Sequence, residues 1–133
     1  TGDIVLKELS GLLKKNTRKL DIVGRYGGEE FILILPATSK DQAGILAERI
    51  RNAVQTYPFC QGRLNSVTIS VGIATCPEDS NIPEVLIEKS DNALYEAKEK
   101  GRNRVCVYGE GRIEIIPSTV IASRDCPIYG RTK

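Results

Sequence analysis

Gly27-Gly28-Glu29-Glu30-Phe31 sets two carboxylates directly after two glycines, a pairing suited to phosphate and metal chemistry. Glycine carries no Cβ, so phosphate oxygens can approach its backbone closely. Glutamate oxygens are hard ligands of the kind Mg²⁺ takes, commonly one or two carboxylates completed by substrate phosphates. A tight glycine turn beside solvated acids would look the same, so the pentapeptide alone leaves both readings open. Two groups of cations accompany it. Lys98 and Arg102 stand four apart at the end of a helical pattern, a spacing that puts both on one face, although a helix C-terminus favours cations in any case. Arg18-Lys19-Leu20-Asp21 is an R-x-x-D ahead of the glycines, and Arg49 lies on a later helix, off its apolar stripe. Arginine presents a fork of donors to phosphate oxygens or guanine edges, whereas an exposed Arg–Asp pair by itself contributes little.

The elements that must position these residues follow from periodicity. Val5, Leu6, Leu9, Leu12 and Leu13 mark one face of a helix, with Asp3 as a plausible N-cap. Asp21 to Tyr26 and Glu30 to Leu35 predict two strands joined through the glycines as a hairpin. The second strand is apolar throughout, which predicts cover on both faces. Thr38 or Ser39 caps a second helix with apolar Ala43, Leu46, Ala47, Ile50 and Val54. After a polar loop around Gln61-Gly62-Arg63, Val67, Ile69, Val71 and Ile73 alternate with smaller residues as a strand. Asn81 and Pro83 open a third helix to about Lys100, with Gly101 at C′, and Arg104 to Tyr108 form a last strand. Residues 110–133 contain a short β-like run, Ile113-Glu114-Ile115-Ile116, then aperiodic sequence. Helix, strand, strand, helix, strand, helix, strand predicts an α+β domain with helices on a mainly antiparallel sheet.

Composition narrows the chemistry. The 133 residues suit one domain. With a net charge of +2 and 5% aromatics, the chain lacks the basic patch and stacking platform of a nucleic-acid binder. It contains no histidine, which removes Ser-His and Cys-His catalysis and histidine-ligated zinc. Cys60, Cys76, Cys106 and Cys126 lie far apart without a C-x-x-C pair and are read as reduced thiols of a cytoplasmic protein. No apolar run approaches a membrane span, and no signal-peptide pattern is present.

Three blocks, in order, resemble the bacterial GGDEF family of diguanylate cyclases in its GGEEF form. They are Asp21-Ile22-Val23-Gly24-Arg25-Tyr26 running into Gly27 to Phe31, then Val67 to Ala74, then Ala93-Leu94-Tyr95-Glu96-Ala97-Lys98-Glu99-Lys100-Gly101-Arg102-Asn103-Arg104-Val105. The resemblance spans roughly residues 1–108 and implies a domain over 1–109 with a tail, 110–133, of uncertain structure. It implies a ferredoxin-like, cyclase-palm fold and a nucleotidyltransferase that condenses two GTP into cyclic di-GMP with release of pyrophosphate. By the same resemblance, Glu29 and Glu30 are catalytic and hold Mg²⁺, while Gly27 and Gly28 line the phosphates. Lys98 and Arg102 bind the triphosphate, and Asp3 and Leu6 hold the guanine. Arg18, Asp21 and Arg49 form an allosteric site where the product inhibits its own synthesis. Catalysis in the family needs a homodimer, and an upstream sensory or regulatory domain is expected. A non-catalytic receptor for cyclic di-GMP or GTP is the alternative.

In one respect the chain departs from the family. A full domain opens with a strand bearing a metal-binding aspartate, followed by a guanine-reading asparagine, and neither is found in these residues. Asp21 is too far from Glu29 to share one Mg²⁺ with it unless the strand folds back, because the strand from Asp21 to Tyr26 extends roughly 17 Å at about 3.3 Å per residue. The missing strand would be central, so its omission exposes two sheet edges. Three remedies are open: the sequence is part of a longer polypeptide, a partner copy donates a strand, or the Ile113–Ile116 run fills the gap. The first is favoured, because the chain contains no Met and begins Thr1-Gly2-Asp3.

Overall fold

Apolar residues returning every three or four positions coil Gly2–Lys15 into helix α1, with Val5, Leu6, Leu9 and Leu13 buried along one face. The computed structural model describes residues 2–26, 30–62, 67–109 and 118–124, with residues 2–3 and 118–124 in backbone only. The two strands of the hairpin follow as β1 (Ile22–Arg25) and β2 (Phe31–Pro36), antiparallel in a register that pairs Ile22 with Ile34 and Arg25 with Phe31. In β2, Phe31, Leu33 and Leu35 are buried while Ile32 and Ile34 are half-buried. One face is therefore sealed and the other only partly covered, short of the full cover its apolar sequence predicts.

Helix α2 (Lys40–Thr56) starts at Ser39, whose hydroxyl accepts from the Gln42 N–H while the Gln42 side chain accepts from the Ser39 N–H. This capping box satisfies two of the donors that a helix start leaves unpaired. A short turn, α3 (Phe59–Gly62), occupies part of the expected polar loop and buries Phe59. Strand β3 (Ser70–Cys76) is buried on both faces. Val71 and Ile73 join the core with α1 and α2, while Gly72 meets the backbone of helix α4 (Pro83–Glu99) and Ala74 packs with its Leu86. Since alternate residues of a strand face opposite ways, the sheet lies between α1 and α2 on one side and α4 on the other. Pro83 begins α4 and Gly101 takes the C′ position with φ 121°, while Ile82 rather than Asn81 is the N-cap. β4 (Val105–Val107) pairs in parallel with β3.

The centre of the sheet is occupied by β5 (Ser118–Arg124). The strand order is β1-β2-β5-β3-β4, and β5 runs antiparallel to both neighbours, with Phe31 and Val71 each paired to Ser123. The two inner edges that the missing family strand would leave open are thus paired by a segment from the C-terminal stretch. The Ile113–Ile116 run lies outside the described residues; the strand that pairs begins just after it.

Candidate active and regulatory sites

The acidic residue of the hairpin that is described lies at one end of its ladder. The Tyr26 N–H donates to the Glu30 carbonyl at 2.8 Å, which sets half-buried Glu30 at the mouth of the ladder, directly before the buried Phe31. Gly27, Gly28 and Glu29 lie outside the described residues, as does the side chain of Asp3. Leu6 is buried, and with Lys7, Ser10 and Arg25 it lines a cleft of about 350 Å³ between α1 and β1. Lys7 and Arg25 were not singled out from the sequence, although Arg25 adjoins the glycine motif. Among the described residues no three acidic, cysteine or histidine side chains gather as a metal cluster.

Lys98 sits in the last turn of α4, but Arg102 lies beyond the helix, at φ 62°. The expectation that helical spacing puts both on one face is therefore corrected. Gly101 turns the chain out of the helix before Arg102, whose N–H returns to the Ala97 carbonyl at 2.9 Å.

The R-x-x-D forms a closed turn. Asp21 accepts from the Arg18 backbone N–H at 2.8 Å, from Nε at 3.1 Å and from Nη2 at 2.7 Å. Arg18 Nη2 also donates to the Pro36 carbonyl and the Thr38 hydroxyl, each at 2.8 Å. These bonds tie the turn before β1 to the exit of β2. Arg49 approaches from α2, donating to the Asn16 carbonyl at 3.0 Å. The three residues line one cleft of about 260 Å³ with Asn16, Thr38 and Gln42. Asn16, Thr38 and Gln42 are members that the sequence did not assign to this site.

The Asp21 side chain is only 1% exposed. Burial raises its pKa, yet the side-chain and backbone bonds from Arg18 outweigh burial and hold the carboxyl below its usual value. A lowered folded pKa contributes stability that is complete above the unfolded value and lost as pH falls through the folded one. Asp21→Asn is therefore expected to be less stable than the parent at neutral pH, with the difference shrinking below about pH 4. Acid titrations of both proteins followed by circular dichroism check this; a gap that stays constant to pH 2 would refute it.

A helix–hairpin–helix–strand order around this sheet, with an acidic hairpin end and a basic turn after the last helix, defines a domain of the cyclase-palm type. The model of the family "Diguanylate cyclase, GGDEF domain" matches residues 1–104, and the chain belongs to that family. It is 45% identical over 105 residues to diguanylate cyclase A of Treponema denticola, covering 78% of this chain and 28% of that protein. The response regulator PleD of Caulobacter vibrioides is 43% identical over 107 residues, 78% of this chain and 24% of its own length. The chain thus spans less than a third of the curated relatives it matches. Among solved structures it resembles the active GGEEF domain of a diguanylate cyclase from Vibrio cholerae, with TM-score 0.72, 35% identity, and 82% and 69% of the two chains covered. The GGDEF domain of YfiN (TpbB) from Pseudomonas aeruginosa follows, at TM-score 0.70 and 30% identity, with the same coverage. The family match stops at Arg104, so β4 and β5 lie beyond it. No described helix is long and apolar enough to cross a membrane.

Proposed function

We propose that this domain, spanning 1–109 with β5 from the following stretch completing its sheet, condenses two GTP into cyclic di-GMP in the cytoplasm. In each half-reaction a 3′-oxygen attacks the α-phosphorus of the other GTP, the bond to pyrophosphate breaks, and the hydroxyl proton is released. Two copies of the chain face each other so that each presents one GTP. The observation that carries the reading is the hairpin of a GGDEF-family domain, whose ladder sets Glu30 at its acidic end.

Within it, Gly27 and Gly28 let the phosphates approach the backbone. Glu29 and Glu30 hold Mg²⁺, and the donor chemistry fits, because carboxylate oxygens are the ligands this hard cation prefers. When bound, the ion supplies charge neutralisation at the phosphates. Leu6 and Asp3 hold the guanine. Lys98 and Arg102 bind the triphosphate, which matters because positioning and charge provide most of the catalysis in phosphoryl transfer. Arg18, Asp21 and Arg49 bind the product and damp synthesis, a role supported by their shared cleft. An upstream sensory domain supplies the signal.

The alternative, a receptor that binds cyclic di-GMP without making it, draws on that same cleft. Incubation with GTP and Mg²⁺, followed by chromatography, separates the two. Together with its upstream domain the protein is expected to form cyclic di-GMP, and Glu29→Gln or Glu30→Gln to lower the rate on the order of 10²-fold or more. Absence of product, with cyclic di-GMP binding retained, would favour the receptor. Calorimetry tests the regulatory half: Arg18→Ala is expected to weaken cyclic di-GMP binding at least tenfold, by about 1.4 kcal/mol or more, and unchanged affinity would remove the site from that cleft.

A further inference from the structure

The turn between α4 and β4 holds three successive residues at positive φ: Gly101 at 121°, Arg102 at 62° and Asn103 at 50°. Glycine adopts this backbone freely, but arginine and asparagine do so at a cost, and such conformations persist only where the surroundings over-determine them. Here the surroundings reach across the fold. The Asn103 N–H donates to the hydroxyl of buried Ser70 on β3 at 3.2 Å. The Asn103 side-chain oxygen accepts from Arg51 Nη1, on α2, at 2.8 Å. Arg51 is itself fixed: Nε and Nη2 engage the Glu48 carboxylate, and Nη1 also donates to Gln55 at 3.1 Å. Only 15% of its side chain is exposed.

We infer that Arg51 is a positioning residue for Arg102, because it grips Asn103 and so sets the left-handed backbone from which Arg102 projects. This rests on the reading of Lys98 and Arg102 as triphosphate contacts. The geometry explains why the residue is arginine. One edge of the guanidinium is spent on Glu48 while the remaining nitrogen reaches Asn103, so the plane that binds the carboxylate also aims the third donor. A lysine ammonium is a single point of charge and cannot hold both partners in a fixed relation. Glu48 is the brace: bonding to Arg51 holds its carboxyl below the usual range, and the same bonds raise the Arg51 pKa.

Titration calorimetry with GTP and with GMP, in the presence of Ca²⁺, on the full chain tests this. Arg51→Lys is expected to weaken GTP binding about tenfold while leaving GMP affinity within twofold, since only the outer phosphates lose their contact. Arg102→Ala provides the reference, and the double variant is expected to bind GTP no more weakly than Arg102→Ala alone, because the two act through one contact. Thermal unfolding of each variant accompanies the titrations. If Arg102→Ala weakens GTP binding and Arg51→Lys does not, the positioning role fails while the triphosphate reading stands. If Arg102→Ala leaves GTP affinity unchanged, or the parent binds no GTP, the reading fails and the inference with it. Equal losses for GTP and GMP from Arg51→Lys would mark a general structural role and overturn the proposal. Glu48→Gln serves as a second variant, expected to shift GTP affinity in the same direction as Arg51→Lys.

Discussion

Gly72→Ala is expected to cost about 3 kcal/mol or more, the upper end of what overpacking a core produces. A Cβ on Gly72 would lie 2.2 Å from the Ser90 carbonyl oxygen, 2.3 Å from the Leu94 nitrogen and 2.8 Å from the Leu94 Cα. All three atoms are backbone, so no rotamer change relieves the clash. Helix α4 must lift from β3, and the side chains buried under it, Leu86, Ala93, Leu94 and Ala97, lose contact together. The variant should show a Tm lower on the order of 10 °C or fail to accumulate as folded protein. Gly11→Ala is the matched control. Nothing lies within 4 Å of the added methyl, and alanine in a helix interior gains roughly 0.5–1 kcal/mol over glycine, so its Tm should rise slightly. Denaturation curves for the pair decide the matter; a Gly72→Ala protein as stable as the parent would show that α4 does not rest on β3 as described.

Lys40→Met carries the second large effect. Lys40 is the first residue of α2, where a cation opposes the helix dipole, yet it is 5% exposed. Its Nζ lies 3.0 Å from Asp79 Oδ2 and donates to the Tyr108 carbonyl at 2.8 Å. Asp79 in turn accepts from the Thr75 N–H at 2.8 Å, and its carbonyl accepts from Lys89, whose ammonium also sits 5.1 Å from the Tyr108 ring centroid. One buried pair thus joins the start of α2, the turn after β3 and the end of β4. Removing the lysine strands a buried carboxylate, and breaking such a pair from one side costs about 3–5 kcal/mol. The Lys40→Met/Asp79→Asn double variant should recover part of that loss, since no buried charge then lacks its partner. Urea unfolding of the two single variants and the double one measures the coupling. A Lys40→Met change below about 1 kcal/mol would mean that water reaches Asp79 and that the pair is not buried in solution.

Much of the fold could be read from the sequence, for local reasons. The hairpin flanks its glycines with β-formers, the capping box at Ser39 needs only a Ser and a Gln at the right spacing, and Pro83 and Gly101 punctuate α4. Arg102 was misplaced although the means to place it were at hand, since a glycine at C′ already ends the helix before it. The Lys40–Asp79 pair was out of reach, because its partners lie 39 residues apart and neither sits in a motif. β3 carries its second buried face on Ser70, Gly72 and Ala74, small residues that hydropathy alternation reads as a solvent side. Of the candidate site, the Arg18–Asp21 turn was legible as a spacing, while its closure by Pro36 and Thr38 depends on tertiary contacts no spacing encodes. β5 lies beyond the family match, and nothing in the pattern of Ser118–Arg124 says which strands would accept it.

That strand also bears on the order in which the sheet is assembled during synthesis. Every other described element is made before β5, so the strands of β1-β2 and β3-β4 are synthesised before the strand that joins them. During that interval β2 and β3 each present a bare edge to any nascent neighbour. A slow step in translating the segment between β4 and β5 would lengthen that exposure, so the yield of soluble protein should depend on how quickly residues 118–124 follow β4.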